Sequence, residues 1–387
     1  MRRIGVVTVG RSDFGLYVPI LEAIRAARGL ELTLYVSGMH LSPEFGRSVR
    51  LIEEAGYRDY VVVESLLSSD SPTGIAKSMA LGVAGFADAL ARVRPDILLV
   101  LGDRFDMHAA ALAALPFTIP VAHVHGGEIT EGAIDDALRH CITKLSHLHF
   151  PSTEEYAQRL RQLGEEPWRI TVAGAPGLDN LRALRIPSRR RLEAKLGRRL
   201  PSRFLLVTYH PVTLEFERTS WQIDQLLRAL RTMDLPAVFT LPNADTSGRI
   251  IADALRAYVA ARPDSCLVDN LGTELYFAMM KQAAAMVGNS SSGIIEAASF
   301  HLPVVNVGSR QGGRLRPANV IDCGNATSNI VGAVRRALAP DFRGGPCRAK
   351  NPYDRGGAAH IIVERLRAVP LGRKLVHKKF VDLREPW

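Results

Sequence analysis

Residues 97–106 read Ile97-Leu-Leu-Val-Leu-Gly-Asp-Arg-Phe-Asp106. Five apolar residues in a row, closed by a glycine, predict a strand buried on both faces, which a parallel sheet covered by helices requires. Working outward from it, Ile4–Val9, Leu32–Val36 and Tyr60–Val63 read as earlier strands. Tyr17–Arg28, Phe45–Glu54 and Gly74–Val93 read as the helices between them, and Met107–Leu115 as the helix that follows. Val121–Val124, the helix Asp135–Leu145 and a strand opening at His149–Phe150 continue the series.

The alternation stops at Leu184–Arg203, rich in Arg, Pro and Ser, and then restarts. Strands are expected at Phe204–Thr208, Ala237–Thr240, Cys266–Val268, Ala284–Val287 and Val304–Val307. Helices are expected at Trp221–Thr232, Arg249–Ala261, Glu274–Gln282, Gly293–Ala298 and Ala358–Arg367. The reading is α/β: a first Rossmann-like domain over 1–183, a connection at 184–203, a nucleotide-binding Rossmann-like domain over 204–368, and a basic tail at 369–387. Two doubly wound parallel sheets facing a central cleft constitute the GT-B architecture, with ligands at the carboxyl ends of the strands.

Composition narrows the class. The 387 residues are 47% hydrophobic and 23% charged, ordinary for a globular chain, with a formal net charge of +10. The basic residues are scattered and form no stripe interleaved with aromatics, so an anionic small molecule is expected rather than nucleic acid. Cys141, Cys266, Cys323 and Cys347 lie far apart with no C-x-x-C pair, which argues against zinc and disulfides and fits a cytoplasmic protein. The apolar stretch after the two N-terminal arginines ends at Gly10, too short for a signal peptide. No apolar run is long enough to predict a membrane span.

The chemistry-bearing residues fall where those strands end. Val287-Gly-Asn-Ser-Ser-Ser-Gly-Ile-Ile-Glu296 places Ser290, Ser291, Ser292 and Gly293 at a strand–helix junction. Backbone N–H groups and hydroxyls there suit a diphosphate, with Glu296 toward a ribose; the plain alternative is a serine N-cap. Arg310, in a glycine-rich loop, is a candidate phosphate clamp or a surface arginine. Asn243 is a candidate nucleotide contact or a turn residue. Asp103 and Arg104 end the strand quoted first, reading either as cleft groups or as a structural ion pair. His123-Val-His-Gly-Gly-Glu128 brings His125 and Glu128 beside two glycines, and Asp135 with Asp136 opens the next helix, where capping is their plain role. His210 follows the strand Phe204–Thr208 and precedes Pro211, a candidate for function. Arg11 and Asp13 lie in Gly10-Arg-Ser-Asp-Phe-Gly15, read as a loop that lacks both the Walker and the dinucleotide glycine spacings.

Taken together, Gly102-Asp-Arg-Phe-Asp106, His125-Gly-Gly-Glu-Ile-Thr130, Ile134-Asp-Asp136, Arg139-His140, Tyr209-His-Pro-Val212, Gly288-Asn-Ser-Ser-Ser-Gly293 and Arg310 resemble, in order, the hydrolysing UDP-N-acetylglucosamine 2-epimerases. The resemblance runs from about Arg3 to about Leu338. It implies a GT-B enzyme without metal or nicotinamide, commonly a dimer or tetramer. Such an enzyme converts UDP-N-acetylglucosamine and water to N-acetylmannosamine and UDP for sialic-type acid synthesis. Asp103, a group among His125 and Glu128, and Asp135 would form the acid/base set. Arg11, Arg104, His210, Ser290, Ser291, Glu296 and Arg310 would hold the nucleotide or stabilise its departure. His125 stands where non-hydrolysing relatives carry Glu, and they lack Glu128. The His-Gly-Gly-Glu form resembles bacterial branches acting on GDP- or UDP-linked diacetamido sugars of bacillosamine type. That substrate is one alternative; the others are a non-hydrolysing epimerase and a GT-B glycosyltransferase.

Overall fold

A computed structural model describes residues 1–43, 47–69, 71–242, 247–268 and 271–382. The chain divides into two compact units. The first comprises Met1–Glu128, Asp135–Asn180 and Tyr353–Trp387; the second comprises Ile129–Ile134 and Leu181–Pro352.

The first unit is built on β1 (Arg2–Thr8), β2 (Leu30–Ser37), β3 (Tyr60–Val63), β4 (Ile97–Leu101), β5 (Val121–Val124) and β6 (Leu148–Phe150). They form one parallel sheet in the order β3-β2-β1-β4-β5-β6. All five residues of β4 are buried, as the unbroken apolar run requires, and Ile97 pairs with Ile4 of β1. Each such fully buried side chain contributes about 1.5–3 kcal/mol.

The second unit repeats this plan with β7 (Leu205–Thr208), β8 (Ala237–Thr240), β9 (Cys266–Val268), β10 (Ala285–Gly288), β11 (Val304–Val307) and β12 (Val320–Cys323). Its order, β12-β11-β10-β7-β8-β9, is the same doubly wound topology. In each sheet the strand order reverses beside the first strand: between β1 and β4, and between β7 and β10. Those are the switch points outside which such sheets open a crevice at the strand carboxyl ends.

The structure corrects the sequence reading in several places. The first helix begins at Arg11 rather than Tyr17, so Arg11 and Asp13 sit in its first turn and not in a loop. The helix expected over Phe45–Glu54 is seen at Val49–Glu54, and residues 44–46 lie outside the described ones. The connection expected at 184–203 folds into the second unit. Ser188 caps the helix Arg189–Leu196 by accepting from Arg191 N, Gly197 ends it at φ 65°, and Leu192 is buried against the core around Phe204 and Phe277. Helices at Glu154–Gln162 and Thr327–Leu338, and the edge strand β12, were not anticipated.

The basic tail is also placed. Residues 353–382 belong to the first unit rather than closing the second. Buried Arg169 donates to the carbonyls of Lys374, Leu375 and His377, and Lys378 Nζ donates to Thr143 O, Lys144 O and Glu165. Burial pushes the Glu165 carboxyl up, but the hydrogen bond from His149 and the ammoniums of Lys378 and Lys144 outweigh it and leave the group at about 2. A carboxyl near 2 in the fold and 4.5 in the unfolded chain stabilises the fold above pH 4.5, and that stability fades as the pH falls toward 2. We expect this group to account for about 3 kcal/mol of acid destabilisation. Denaturant titrations at pH 6 and pH 3 should show the acid loss shrinking by about 2 kcal/mol in Glu165→Gln, the part of that total already lost by pH 3.

The helix Pro72–Arg92 has the length and mean hydropathy of a membrane span. Its buried residues, among them Ile75, Ser78, Gly82, Phe86, Ala89 and Leu90, instead trace the inward stripe of a core helix. The four cysteines are unpaired. Among the described residues no group of three His, Cys, Asp or Glu side chains could hold a metal ion.

Candidate functional site

At the first unit's switch point, Thr8 ends β1, Val9 follows it, and the buried Asp13 bonds to both. Its Oδ2 accepts from Thr8 Oγ1 at 2.7 Å and from Val9 N at 2.9 Å. Burial raises the carboxyl to about 6. Thr8 Oγ1 also meets His40 Nε2 at 2.9 Å, and His40 Nδ1 meets Ser48 Oγ at 2.9 Å. Asp13 therefore buttresses the strand–helix turn with the carboxylate oxygen expected to touch substrate. Arg11 stands two residues earlier, half-buried.

Asp103 and Arg104 follow β4, and the structure pairs them differently from the local ion pair considered above. Asp103 Oδ2 accepts from Arg139 Nη2, whereas Arg104 Nε lies 3.7 Å from Asp106. Arg139 is 1% exposed; it also donates to Glu128 O at 2.9 Å and lies 3.6 Å from Asp136. Asp103 keeps 23% of its side chain exposed. His123, one strand over, bonds through Nε2 to Gly102 O at 2.7 Å and through Nδ1 to Thr143 Oγ1 at 3.2 Å. Burial pushes its imidazole down to about 3, so neutral His123 donates and holds the turn that presents Asp103.

The His-Gly-Gly-Glu turn leaves β5 with His125 at φ 64° and Gly127 at φ 80°. A Cβ on Gly127 would lie 2.5 Å from Tyr156 O, so only glycine fits. His125 is 6% exposed and Glu128 is fully buried. His125 Nδ1 meets Glu128 Oε1 at 2.6 Å, and that same oxygen accepts from Ser152 Oγ at 2.8 Å. Glu128 Oε1 thus faces His125 and Ser152, and Oε2 is buried as well. Asp135 opens its helix half-buried, and Asp136 beside it engages Arg139 and His140.

In the second unit, the switch point is formed by the ends of β7 and β10. His210 follows β7 at 7% exposure. Asn289 clamps its backbone from both sides, accepting from His210 N at 2.7 Å and donating to His210 O at 2.8 Å. Asn289 O in turn accepts from Arg310 Nη1 at 3.2 Å and Gln311 Nε2 at 2.9 Å. Ser290 Oγ accepts from Ser292 N, the plain N-cap of the short helix Ser291–Ile295. Ser291 and Ser292 remain half-buried at its first turn, with Gly293 buried behind them. The capping alternative therefore holds for Ser290. Glu296 is buried just past the end of that helix. Burial raises the Tyr276 hydroxyl to about 12, and it meets Thr208 Oγ1 at 3.5 Å. The segment Ile129–Ile134 packs within this unit: Glu131 N donates to Gly312 O at 3.2 Å, and Ile134 N to Thr213 Oγ1 at 2.9 Å. Asn243 lies outside the described residues.

Arg139, Ser152, Tyr276, Asn289 and Gln311 escaped sequence reasoning as individual groups. Only Arg139 carried a local signal, its position three residues after Asp136 on one helix face.

Comparison with known proteins places this geometry. The family model for UDP-N-acetylglucosamine 2-epimerase matches residues 22–367. The GDP/UDP-N,N'-diacetylbacillosamine 2-epimerase (hydrolyzing) of Campylobacter jejuni is 38% identical over 99% of this chain and 99% of its own. The UDP-N,N'-diacetylbacillosamine 2-epimerase (hydrolyzing) of Legionella pneumophila is 35% identical over 98% and 99%. The UDP-GlcNAc 2-epimerase of Neisseria meningitidis, solved bound to UDP-GlcNAc, shares the GT-B-like fold. It does so at a TM-score of 0.79 and 18% identity, over 95% of this chain and 100% of that one.

Proposed function

Because the chain belongs to the UDP-N-acetylglucosamine 2-epimerase family, in its hydrolysing branch, we propose that its substrate is a UDP- or GDP-linked 2,4-diacetamido sugar of the N,N'-diacetylbacillosamine type. The enzyme inverts carbon 2 and releases the free sugar and the nucleoside diphosphate. The 38% identity to the Campylobacter jejuni enzyme over nearly the whole of both chains carries this reading. It favours the 4-acetamido substrate over UDP-N-acetylglucosamine, the first expectation from the sequence, and with it a legionaminic-type over a sialic-type acid pathway. The unpaired cysteines fit work in the reducing cytoplasm.

The chemistry assigns tasks to each set of residues. The C2 hydrogen has no neighbouring carbonyl, so the C1–O bond must break first, its electron pair leaving with the diphosphate. In the second unit, the hydroxyls of Ser291 and Ser292, His210 and Arg310 stabilise that departing charge, each strong donor contributing about 3 kcal/mol. The oxocarbenium ion makes the C2 hydrogen acidic, a base in the first unit removes it, and a glycal forms. Water adds at C1 while a proton returns to C2 on the opposite ring face. One fixed group cannot serve both faces, so two acid/base groups are needed, drawn from Asp103, His125 and Asp135. Arg11, Arg104 and Glu296 complete the polar surroundings of the substrate.

The test follows turnover in D2O by proton NMR, with UDP- and GDP-linked diacetamido sugars and UDP-N-acetylglucosamine in parallel. A free 2-epimeric sugar deuterated at C2 is expected. The diacetamido substrate should be preferred at least about tenfold in kcat/KM, the scale on which a pocket discriminates one added group. Equal or better use of UDP-N-acetylglucosamine would restore the first expectation, and a product still joined to its nucleotide would overturn hydrolysis.

A further inference from the structure

We infer that His125 is the group that removes the C2 proton and that Glu128 is its positioning residue, with Ser152 completing the arrangement; this rests on the 2-epimerase reading above. The family resemblance left His125 and Glu128 as equal candidates, and the structure separates them by exposure and by hydrogen bonding. Glu128 has no exposed surface. Its Oε1 accepts from His125 Nδ1 at 2.6 Å and from Ser152 Oγ at 2.8 Å, and its backbone carbonyl is held by Arg139. The other oxygen, Oε2, is buried as well, so the carboxylate presents no surface to a sugar hydrogen.

His125 has the complementary properties. With Nδ1–H donated to the carboxylate, the neutral ring carries its lone pair on Nε2. Nε2 has no hydrogen-bond partner among the described residues, yet it is absent from the buried atoms that lack one, so it keeps contact with solvent. The backbone enforces this pose. His125 adopts φ 64°, its N–H donates to Phe150 O at 3.1 Å, and Gly127 admits no side chain beneath Tyr156 O. A left-handed conformation costs a residue with a Cβ about 1–2 kcal/mol, an expense consistent with a constrained functional side chain.

The proton balance is simple. As the C1–O pair leaves with the diphosphate, the C2–H pair becomes the C1=C2 bond of the glycal, and Nε2 takes the proton. The imidazolium so formed has the Glu128 carboxylate already in contact through Nδ1–H. This is the division of labour that a buried carboxylate imposes on a catalytic histidine in hydrolases, where it fixes tautomer and orientation and is not itself protonated.

The experiment compares Glu128→Gln, Glu128→Asp and His125→Gln in the full-length enzyme. Three readouts are taken: kcat and KM, nucleoside diphosphate affinity by calorimetry, and the imidazole 15N resonances of histidine-labelled protein, with His125 assigned through His125→Gln. Glu128→Gln presents an amide that can donate to Nδ1 and so reverse the tautomer. We expect kcat to fall by about 10²–10⁴-fold with KM within about threefold, and Glu128→Asp to recover part of the loss. The wild-type His125 signals should show Nδ1 protonated and Nε2 bare, and Glu128→Gln should disturb them while diphosphate affinity is kept. Wild-type-like kcat in either Glu128→Gln or His125→Gln overturns the inference. So does an Nε2-protonated wild-type ring, which leaves no lone pair on Nε2 to take the C2 proton. A wild type that turns over no nucleotide sugar would sink the function instead, and the 15N spectrum would still report on the pair.

Discussion

Replacing Asp103 by Asn is expected to abolish epimerisation while leaving nucleotide binding intact. Asp103 follows β4 at the first unit's switch point, with 23% of its side chain open and its Oδ2 taken by Arg139. An acid/base group at this position contributes about 10²–10⁴-fold to turnover. The nucleotide contacts proposed here belong to the second unit, so affinity for the diphosphate should change by no more than about threefold, a difference below 1 kcal/mol. The amide oxygen of Asn can still accept from Arg139, which limits the structural damage. Loss of the charge opposite buried Arg139 should nonetheless cost about 1–3 kcal/mol of stability. The alternative role for Asp103, a counter-ion that merely anchors Arg139, predicts the reverse balance: the same loss of stability with kcat kept within about threefold. Measuring kcat, C2 deuterium incorporation and Tm on one preparation separates the two. Loss of stability with turnover retained would remove Asp103 from the acid/base set.

The fold was legible because its strands are short apolar runs closed by glycine or polar turns. Ile97–Leu101 and Val304–Val307 appear in the structure with the limits read from sequence. The elements that escaped had weaker local signals. Among the described residues β12 pairs only with β11, and its burial gives way to exposure at Asp322, so no apolar run marks it. The helix Arg189–Leu196 buries a single residue, Leu192, and its charged remainder reads as a linker, although Ser188 and Gly197 bracket it with a cap at each end.

The candidate site divides along similar lines. Residues that follow strands, such as Asp103, His125, His210 and Ser291, were visible because topology alone carries strand ends to the crevice. Their partners were not. Arg139 reaches Asp103 across 36 positions, Ser152 reaches Glu128 across 24, and Asn289 reaches His210 across 79, pairings that only the folded sheet creates. The same limit explains why Asp13 and Glu128 read as ligand-facing. A sequence shows that a carboxylate stands near a strand end, and the hydrogen bonds made on folding decide whether it faces outward.

Gly288→Ala carries the largest structural effect we expect from one methyl group. Gly288 is the last residue of β10, in register with Thr208 of β7, at φ 139°. A Cβ there would lie 1.9 Å from Thr208 O and 2.7 Å from Thr208 C, both backbone atoms of the adjacent central strand with no side chain to swing aside. The ends of β7 and β10 would have to part, breaking the bond from Asn289 N to Thr208 O at 3.1 Å. Asn289 would carry with it the clamp on His210 and the anchor for Arg310 and Gln311. Backbone strain of about 1–3 kcal/mol and overpacking of about 1–3 kcal/mol then add. Gly197→Ala supplies the control: its φ is 65°, yet a Cβ there meets nothing within 4 Å, so only the left-handed penalty of about 1–2 kcal/mol applies. Denaturant unfolding should rank Gly288→Ala well below the control. Calorimetry should show at least about a tenfold loss of UDP or GDP affinity, some 1.4 kcal/mol, in Gly288→Ala alone. Equal losses in the two variants would mean that the strand ends yield freely, and that the second unit's switch point does not hold the nucleotide through this packed geometry.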